Sequence, residues 1–293
     1  MRLVTLKSRG TESAAVVTTW GAVSVEKING MFGLSWGTDV FSIICSGKLD
    51  RMTEWFRAEG EALLEKKRED GIPKEHISYG PLYRHPLKIW GIGLNYVDHA
   101  SDLSEKAPST EPASFMKPDT TIIGPGDPIL IPNQSHKTTG EAELGVIIGR
   151  KCKDVERDEW LSAVAGYTTI IDMTAEDILR VNPRYLTRAK SFDTFFSFGP
   201  QLVTPDEVPD VNALKVSTII NGRVHASNTV SNMTFPPDFL VSFHSEVMTL
   251  MPGDIISTGT PRAVPLADGD TVGCNIEGFE ALRNPVKDLK NGL

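Results

Sequence analysis

At 293 residues the chain has room for one large domain or for a small and a medium one, at about 150 residues per domain. Hydrophobic residues at 40% and charged residues at 23%, with 25 Gly and 19 Pro, exclude collagen-like, coiled-coil and disordered classes. The 30 Lys and Arg against 38 Asp and Glu leave a net charge of −8, which opposes loose attraction to phosphate backbones or anionic membranes. Nucleic acid and membrane are therefore not expected partners, and a small anionic ligand needs a few fixed cations or a bound metal.

Cys45, Cys152 and Cys274 are odd in number and lack CxxC spacing, so reduced thiols in a cytoplasmic protein are expected rather than disulfides or a zinc ribbon. The opening string MRLVTLKSRG has no apolar segment of the secretory kind, and no run reaches the ~18 apolar residues of a membrane helix.

In chain order, SAAVVTT and AVSVEKI predict two short strands around Trp20-Gly21, followed by an amphipathic helix with Asp50 as N-cap. On that helix Met52, Trp55, Phe56, Leu63 and Leu64 share one face. The polar stretch KKREDGIPKEH (66–76) closes this region, giving a small domain over 1–82 and a second over 83–293. From there LKIWGIGLNY, DPILIP, AELGVIIG and GYTTIIDM read as strands, and Asn221-Gly222 between alternating runs predicts a type I′ hairpin. Helices are fewer: DEWLSAVA, a short TAEDILRV capped by Thr174, and PPDFLVSFHSEVMTL opening on tandem prolines. Strands that do not alternate with helices predict a mostly β, antiparallel or mixed fold.

Glu141 and Glu143 flank Ala142; on a strand they point to one face with Cα atoms about 6.6 Å apart, at roughly 3.3 Å rise per residue. A solvated face is the plain reading, and a cation between them is the other. Asp172 lies in the apolar run TTIIDMTA, where a buried unpaired carboxylate costs several kcal/mol. It either caps the following helix with Thr174 or joins the two glutamates in an oxygen-only site suited to Mg²⁺ or Mn²⁺. His99 and Asp102, three residues apart, are either a surface pair or a general base with its orienting acid. Arg188 and Lys190 sit among aromatics in LTRAKSFDTFFSFGP, where a lysine either lies over apolar surface or stabilises an enolate. The Gly-Thr-Pro turn at 259–261 offers a hydroxyl and backbone N–H groups to an anion.

The ordered series GIGLNYVDHA, SFMKP, EAELGVIIGR, GYTTIIDMTAEDI, RAKSFDTFFSFGP, NG and PGDIISTGTP, over about residues 85–293, resembles the fumarylacetoacetate hydrolase family. The resemblance implies an α+β, mostly β fold: a mixed β-sandwich roll, usually dimeric, with a small N-terminal domain. It places the metal carboxylates on Glu141, Glu143 and Asp172, the active-site lysine on Lys190, the catalytic histidine on His99 with Asp102 as helper, and substrate binding on Thr260, with Lys117 and Arg188 as neighbours. The expected function is Mg²⁺- or Mn²⁺-dependent C–C bond hydrolysis of a small 2-oxo or 1,3-dioxo acid. Tautomerisation, isomerisation or decarboxylation of an oxaloacetate-like acid is the alternative, and a non-catalytic oxo-acid-binding protein is another. Two departures stand out: AEDIL replaces the ARDIQ of many family hydrolases, so Glu176 and Leu179 stand where Arg and Gln are common, and Asp102 replaces the usual Glu.

Overall fold

Two long runs of apolar and β-branched residues, 138–148 and 164–175, are buried at every position, as strands covered on both faces must be. The computed structural model describes residues 1–8, 10–96 and 110–292. Strands β1 (Arg2–Ser8), β2 (Thr11–Val17), β3 (Gly21–Ser24) and β4 (Ile72–Pro73) come first. Then follow β5 (Ile89–Gly93), β6 (Ala113–Lys117), β7 (Ile122–Ile123), β8 (Ile129–Ile131), β9 (Thr138–Ile148) and β10 (Val164–Ala175). The chain continues through β11 (Phe196–Phe198), β12 (Gln201–Val203), β13 (Lys215–Ile220), β14 (Arg223–Thr229), β15 (Ile255–Ser257), β16 (Val264–Pro265), β17 (Thr271–Ile276) and β18 (Leu282–Asp288).

Among the described residues these strands form a 13-stranded mixed sheet, with the path β4-β3-β2-β1-β12-β10-β9-β15-β5-β6, and a 5-stranded sheet ordered β14-β13-β17-β18-β8. The mixed, mostly β α+β fold expected from the sequence is the one observed. Ala142, Leu144, Val146 and Ile148 of β9 share a core with Val216, Val272, Cys274 and Leu282 of the smaller sheet. Side chains alternate along a strand, so Glu141 and Glu143 emerge from the opposite face of β9.

The N-terminal strands extend the large sheet: β1 pairs with β12, setting Leu3 opposite Leu202. Met1, Leu3, Val16 and Ile28 share one core with Ile89, Ile147, Phe196 and Phe198, so apolar packing is continuous across residue 82.

Local chemistry altered several expected elements. VEKI is not strand but the start of a helix, Val25–Phe32, because the Ser24 hydroxyl accepts from the Lys27 N–H and Gly33 closes it at φ 65°. The next expected helix starts two residues early, at Leu49, which puts Asp50 inside the first turn instead of at the cap. A π-helical turn at Phe56–Gly60 then resets its phase, so that beyond the buried Leu49 the residues Met52, Phe56, Gly60 and Leu64 are buried at intervals of four. DEWLSAVA forms a 3₁₀ stretch, Arg157–Ala163, that runs straight into β10. The Asn221-Gly222 hairpin is present, with both residues at positive φ as a type I′ turn requires.

Asn95 is fully buried at the end of the segment that follows β5. Its amide donates to the Phe235 and Thr258 carbonyls at 2.9 and 2.7 Å, and its oxygen accepts from the Phe235 N–H at 2.9 Å. Truncation strands three buried backbone groups at once, each worth about 1–3 kcal/mol when left unmet. Asn95→Ala is expected to cost at least ~3 kcal/mol in denaturant unfolding; a change under ~1 kcal/mol would show that these bonds are replaced by others.

Candidate metal centre

The β9–β10 register sets Asp172 directly opposite Glu141, and Glu143 opposite Ile170. Like charges facing each other across an antiparallel pair repel; here a third carboxylate joins them, and ligand atoms of Glu141, Glu143 and Asp172 all lie within 4.8 Å of one another. All three residues are buried. The cluster is tolerated because two buried lysines enter it. Lys190, from the short helix Leu186–Lys190, bridges the pair, 2.8 Å from Glu141 Oε2 and 2.5 Å from Asp172 Oδ2. Lys117, from β6, donates to Asp172 Oδ1 at 2.6 Å and to the Met173 carbonyl at 3.3 Å.

Neutral donors orient the remaining carboxylate oxygens. Glu141 Oε1 accepts from the Thr174 hydroxyl at 2.5 Å and from Thr139 at 3.2 Å. Glu143 Oε2 accepts from the Ser257 hydroxyl at 2.5 Å and from the Gly259 N–H at 2.8 Å. Both Glu143 bonds fall on one oxygen, so the other is the one available to a ligand. Thr174 thus acts on Glu141 and not as a helix cap; the helix Glu176–Val181 is preceded by Ala175 and has no side-chain cap.

The groups respond electrostatically in different directions. Burial, reinforced by the Asp172 and Glu141 charges, raises the Glu143 carboxyl to about 8. Burial also works to raise Asp172, but the charges and hydrogen bonds of Lys117 and Lys190 outweigh it and hold that carboxyl low. Burial depresses Lys117 to about 8 despite the attraction of Asp172. For Lys190, Asp172, Glu141 and Glu143 together overcome burial and raise the ammonium.

The raised Glu143 value carries a signed consequence for the metal-free protein. The folded chain keeps a proton that the unfolded chain releases above 4.5, so the associated stability is full below that value and is lost as pH rises toward about 8. Thermal melts of chelator-treated protein from about pH 5 to about pH 8.5 should show Tm falling more steeply in the parent than in Glu143→Gln. Identical slopes would remove Glu143 from the account.

A cavity of about 430 Å³ opens above the cluster. Glu141, Glu143, Lys190, Thr139, Thr174 and Thr260 form its polar floor, and Ile92, Phe115, Leu179, Leu186 and Ala263 are among its apolar walls. Lys190 Nζ also lies 4.7 Å from the Phe115 ring centroid. Arg188 is exposed and absent from the lining: two residues before Lys190 on the same helix, it points away, whereas Leu186, four residues before, shares the face of Lys190. Lys117 likewise reaches the back of Asp172 and does not line the cavity. His99 and Asp102 lie outside the described residues.

The residues fit a hard divalent ion. Among the described residues three carboxylates, oxygen donors only, converge without a Cys or His in the cluster, and hydroxyl, N–H and ammonium groups fix their orientation. Once Glu143 gives up the proton it keeps in the metal-free protein, three anions against two lysines leave one negative charge for a cation to neutralise.

The sequence model described as Fumarylacetoacetate (FAA) hydrolase C-terminal matches residues 88–287, the region that carries all three carboxylates. The chain belongs to the fumarylacetoacetate hydrolase family. Among relatives, the mitochondrial oxaloacetate tautomerase FAHD2A of Homo sapiens is 35% identical over 246 residues, covering 79% of this chain and 78% of its own length. Among solved structures, maleylpyruvate hydrolase from Sphingobium sp. SYK-6, in complex with manganese(II) and pyruvate, is 26% identical with a TM-score of 0.77, over 98% of this chain and 99% of its own. The 5-carboxymethyl-2-hydroxymuconate delta-isomerase from Mycobacterium smegmatis is 28% identical with a TM-score of 0.75, again over 98% and 99%. Family membership and the acidic cluster together support a divalent-metal site in this chain. No helix among the described residues is long and apolar enough to cross a membrane.

Proposed function

We propose that the chain is a Mg²⁺- or Mn²⁺-dependent enzyme that takes a small 2-oxo acid through its enolate, and that keto–enol tautomerisation of an oxaloacetate-like acid is its reaction. One observation carries the reading: Lys190 contacts Glu141 and Asp172 at the floor of a cavity large enough for a small acid. When bound by Glu141, Glu143 and Asp172, the ion supplies Lewis acidity toward the oxo-acid oxygens. Lys190, held cationic by its neighbours, stands beside the same carboxylates and stabilises negative charge developing on the 2-oxo oxygen. Thr260 adds a hydroxyl, and the walls formed by Phe115, Leu179 and Leu186 exclude water. His99, with Asp102 as its helper, is assigned the proton transfer: a proton leaves C3, the C–H electron pair becomes the C2–C3 double bond, the 2-oxo C=O becomes C–O, and a proton arrives on that oxygen.

Tautomerisation is placed first because the tautomerase relative, 35% identical over most of both chains, is named for one reaction on a defined oxo acid, whereas the hydrolase neighbour is 26% identical and a 42%-identical relative from Burkholderia cenocepacia is named as a hydrolase without a substrate. Hydrolysis is the second reading, supported by that neighbour's name and bound pyruvate. In it water oxygen bonds to the distal carbonyl carbon, the C–C bond breaks, and its electron pair leaves on the pyruvate fragment as an enolate that is reprotonated at carbon. The test follows the enol absorbance of oxaloacetate and, separately, the products from acylpyruvates, with Mg²⁺ or Mn²⁺ and after chelation. Metal-dependent loss of enol without C–C cleavage is expected. Cleavage of acylpyruvates favours the second reading, and no metal-dependent turnover of either class contradicts both.

A further inference from the structure

Glu176 is a nearly buried carboxylate at the cavity, its side chain 10% exposed, and it is gripped by two cations. Arg180, one helical turn on, donates to Glu176 Oε1 from Nε at 2.6 Å and from a terminal nitrogen at 2.5 Å. Lys137 reaches the same carboxylate at 3.0 and 2.9 Å, and its carbonyl accepts the Glu176 N–H. Two cations against one anion leave one positive charge at this place. The Arg180 side chain is 59% exposed, against 6% for Lys190, so Arg180 stands at the rim while Lys190 stands at the floor. Among the described residues they are the two cationic side chains that line the cavity.

From this arrangement we infer that Arg180 is the specificity-determining residue of the cavity: with the oxo-acid end at the carboxylate cluster, the remote carboxylate of a dicarboxylic oxo acid pairs with Arg180. Glu176 is the positioning residue. Its carboxylate takes up Nε and one terminal nitrogen, and a planar guanidinium has further N–H donors to offer a second carboxylate. Lys137 neutralises Glu176, so the anchor does not repel the incoming anion. An ordinary exposed i,i+4 pair accounts for less: it requires neither the burial of Glu176 nor a second cation on it. The inference deepens the proposed function and rests on its metal-dependent oxo-acid site.

The test is calorimetric titration of the Mn²⁺-loaded protein with 2-oxoglutarate and 2-oxovalerate, five-carbon 2-oxo acids that differ in the remote carboxylate. Wild type should bind 2-oxoglutarate at least about tenfold tighter, the scale of one charge-assisted pair. Arg180→Leu should erase the preference while leaving 2-oxovalerate within about twofold, and Glu176→Gln, which frees the guanidinium, should reduce it in part. Because Arg180 is exposed, its replacement threatens the fold little. Equal binding of the two acids by wild type, or a preference that survives Arg180→Leu, would overturn the assignment of Arg180 alone. Binding of neither acid would overturn the oxo-acid site itself and this inference with it.

Discussion

Asp172→Asn should abolish divalent-cation binding and lower metal-dependent turnover by at least about a thousandfold, the largest effect expected of any single substitution in this chain. Asp172 is the one carboxylate held by both lysines, with Lys117 on one oxygen and Lys190 on the other. An amide keeps one acceptor but turns the other position into a donor, so one ammonium faces N–H groups. The remaining anions, Glu141 and a Glu143 raised by burial, then balance the two lysines at most, and no net attraction for a cation is left. Breaking a buried ion pair on one side typically costs about 3–5 kcal/mol, so the melting temperature should fall as well. Glu141→Gln, which loses a single lysine contact, is the milder companion: metal binding should be lost with a smaller drop in Tm. Retention of wild-type metal affinity in both variants would refute the ligand assignment.

Lys190→Met separates chemistry from metal binding. The substitution removes the cation that competes for Glu141 and Asp172 and leaves all three carboxylates in place. Metal affinity should therefore be kept or increased, while kcat falls by roughly 10²–10³, the range for loss of one group that stabilises developing charge. Methionine matches the length of the aliphatic stem and can keep the contact with Phe115. Stopped-flow turnover and Mn²⁺ titration on the same preparation measure the two effects separately. Parallel loss of metal and activity would make Lys190 a structural counter-ion only.

What the sequence disclosed about this site follows from which interactions are local. Glu141 and Glu143 are two apart on one strand, so their common face is readable from the period of the strand alone. Asp172 announced itself by standing inside an apolar run. That Asp172 lies opposite Glu141 depends on the β9–β10 register, a long-range property that no local string encodes. For Lys190 the string left two readings open, a lysine over apolar surface or one that stabilises an enolate, and the family resemblance chose between them. Thr174 was misassigned for a related reason: Thr before an acidic helical turn resembles a cap, and only the pairing partner reveals that its hydroxyl serves Glu141. Ser257, Phe115 and Arg180 carried no signal of their own. Ser257 becomes meaningful because β15 pairs with β9 beside Glu143, and Arg180 because helix spacing sets it over Glu176.

The fold shows the same division. The hairpin at Asn221-Gly222 was legible because φ > 0 is a local demand that these two residues meet. The helix after Ser24 was missed because alternation in AVSVEKI mimics a strand, while the deciding features are a cap hydroxyl and a C-terminal glycine. The phase of the helix after Lys48 was read as uniform, and the π turn at Phe56–Gly60 shifts it.

The most direct measurement is a Mn²⁺ titration of chelator-stripped protein, followed by electron paramagnetic resonance of the free ion, for the wild type and Asp172→Asn. One bound ion per chain, displaced by Mg²⁺, is expected in the wild type, and none in Asp172→Asn over the same range. No saturable binding by the wild type, or binding unchanged by the substitution, would contradict a metal centre built on Glu141, Glu143 and Asp172.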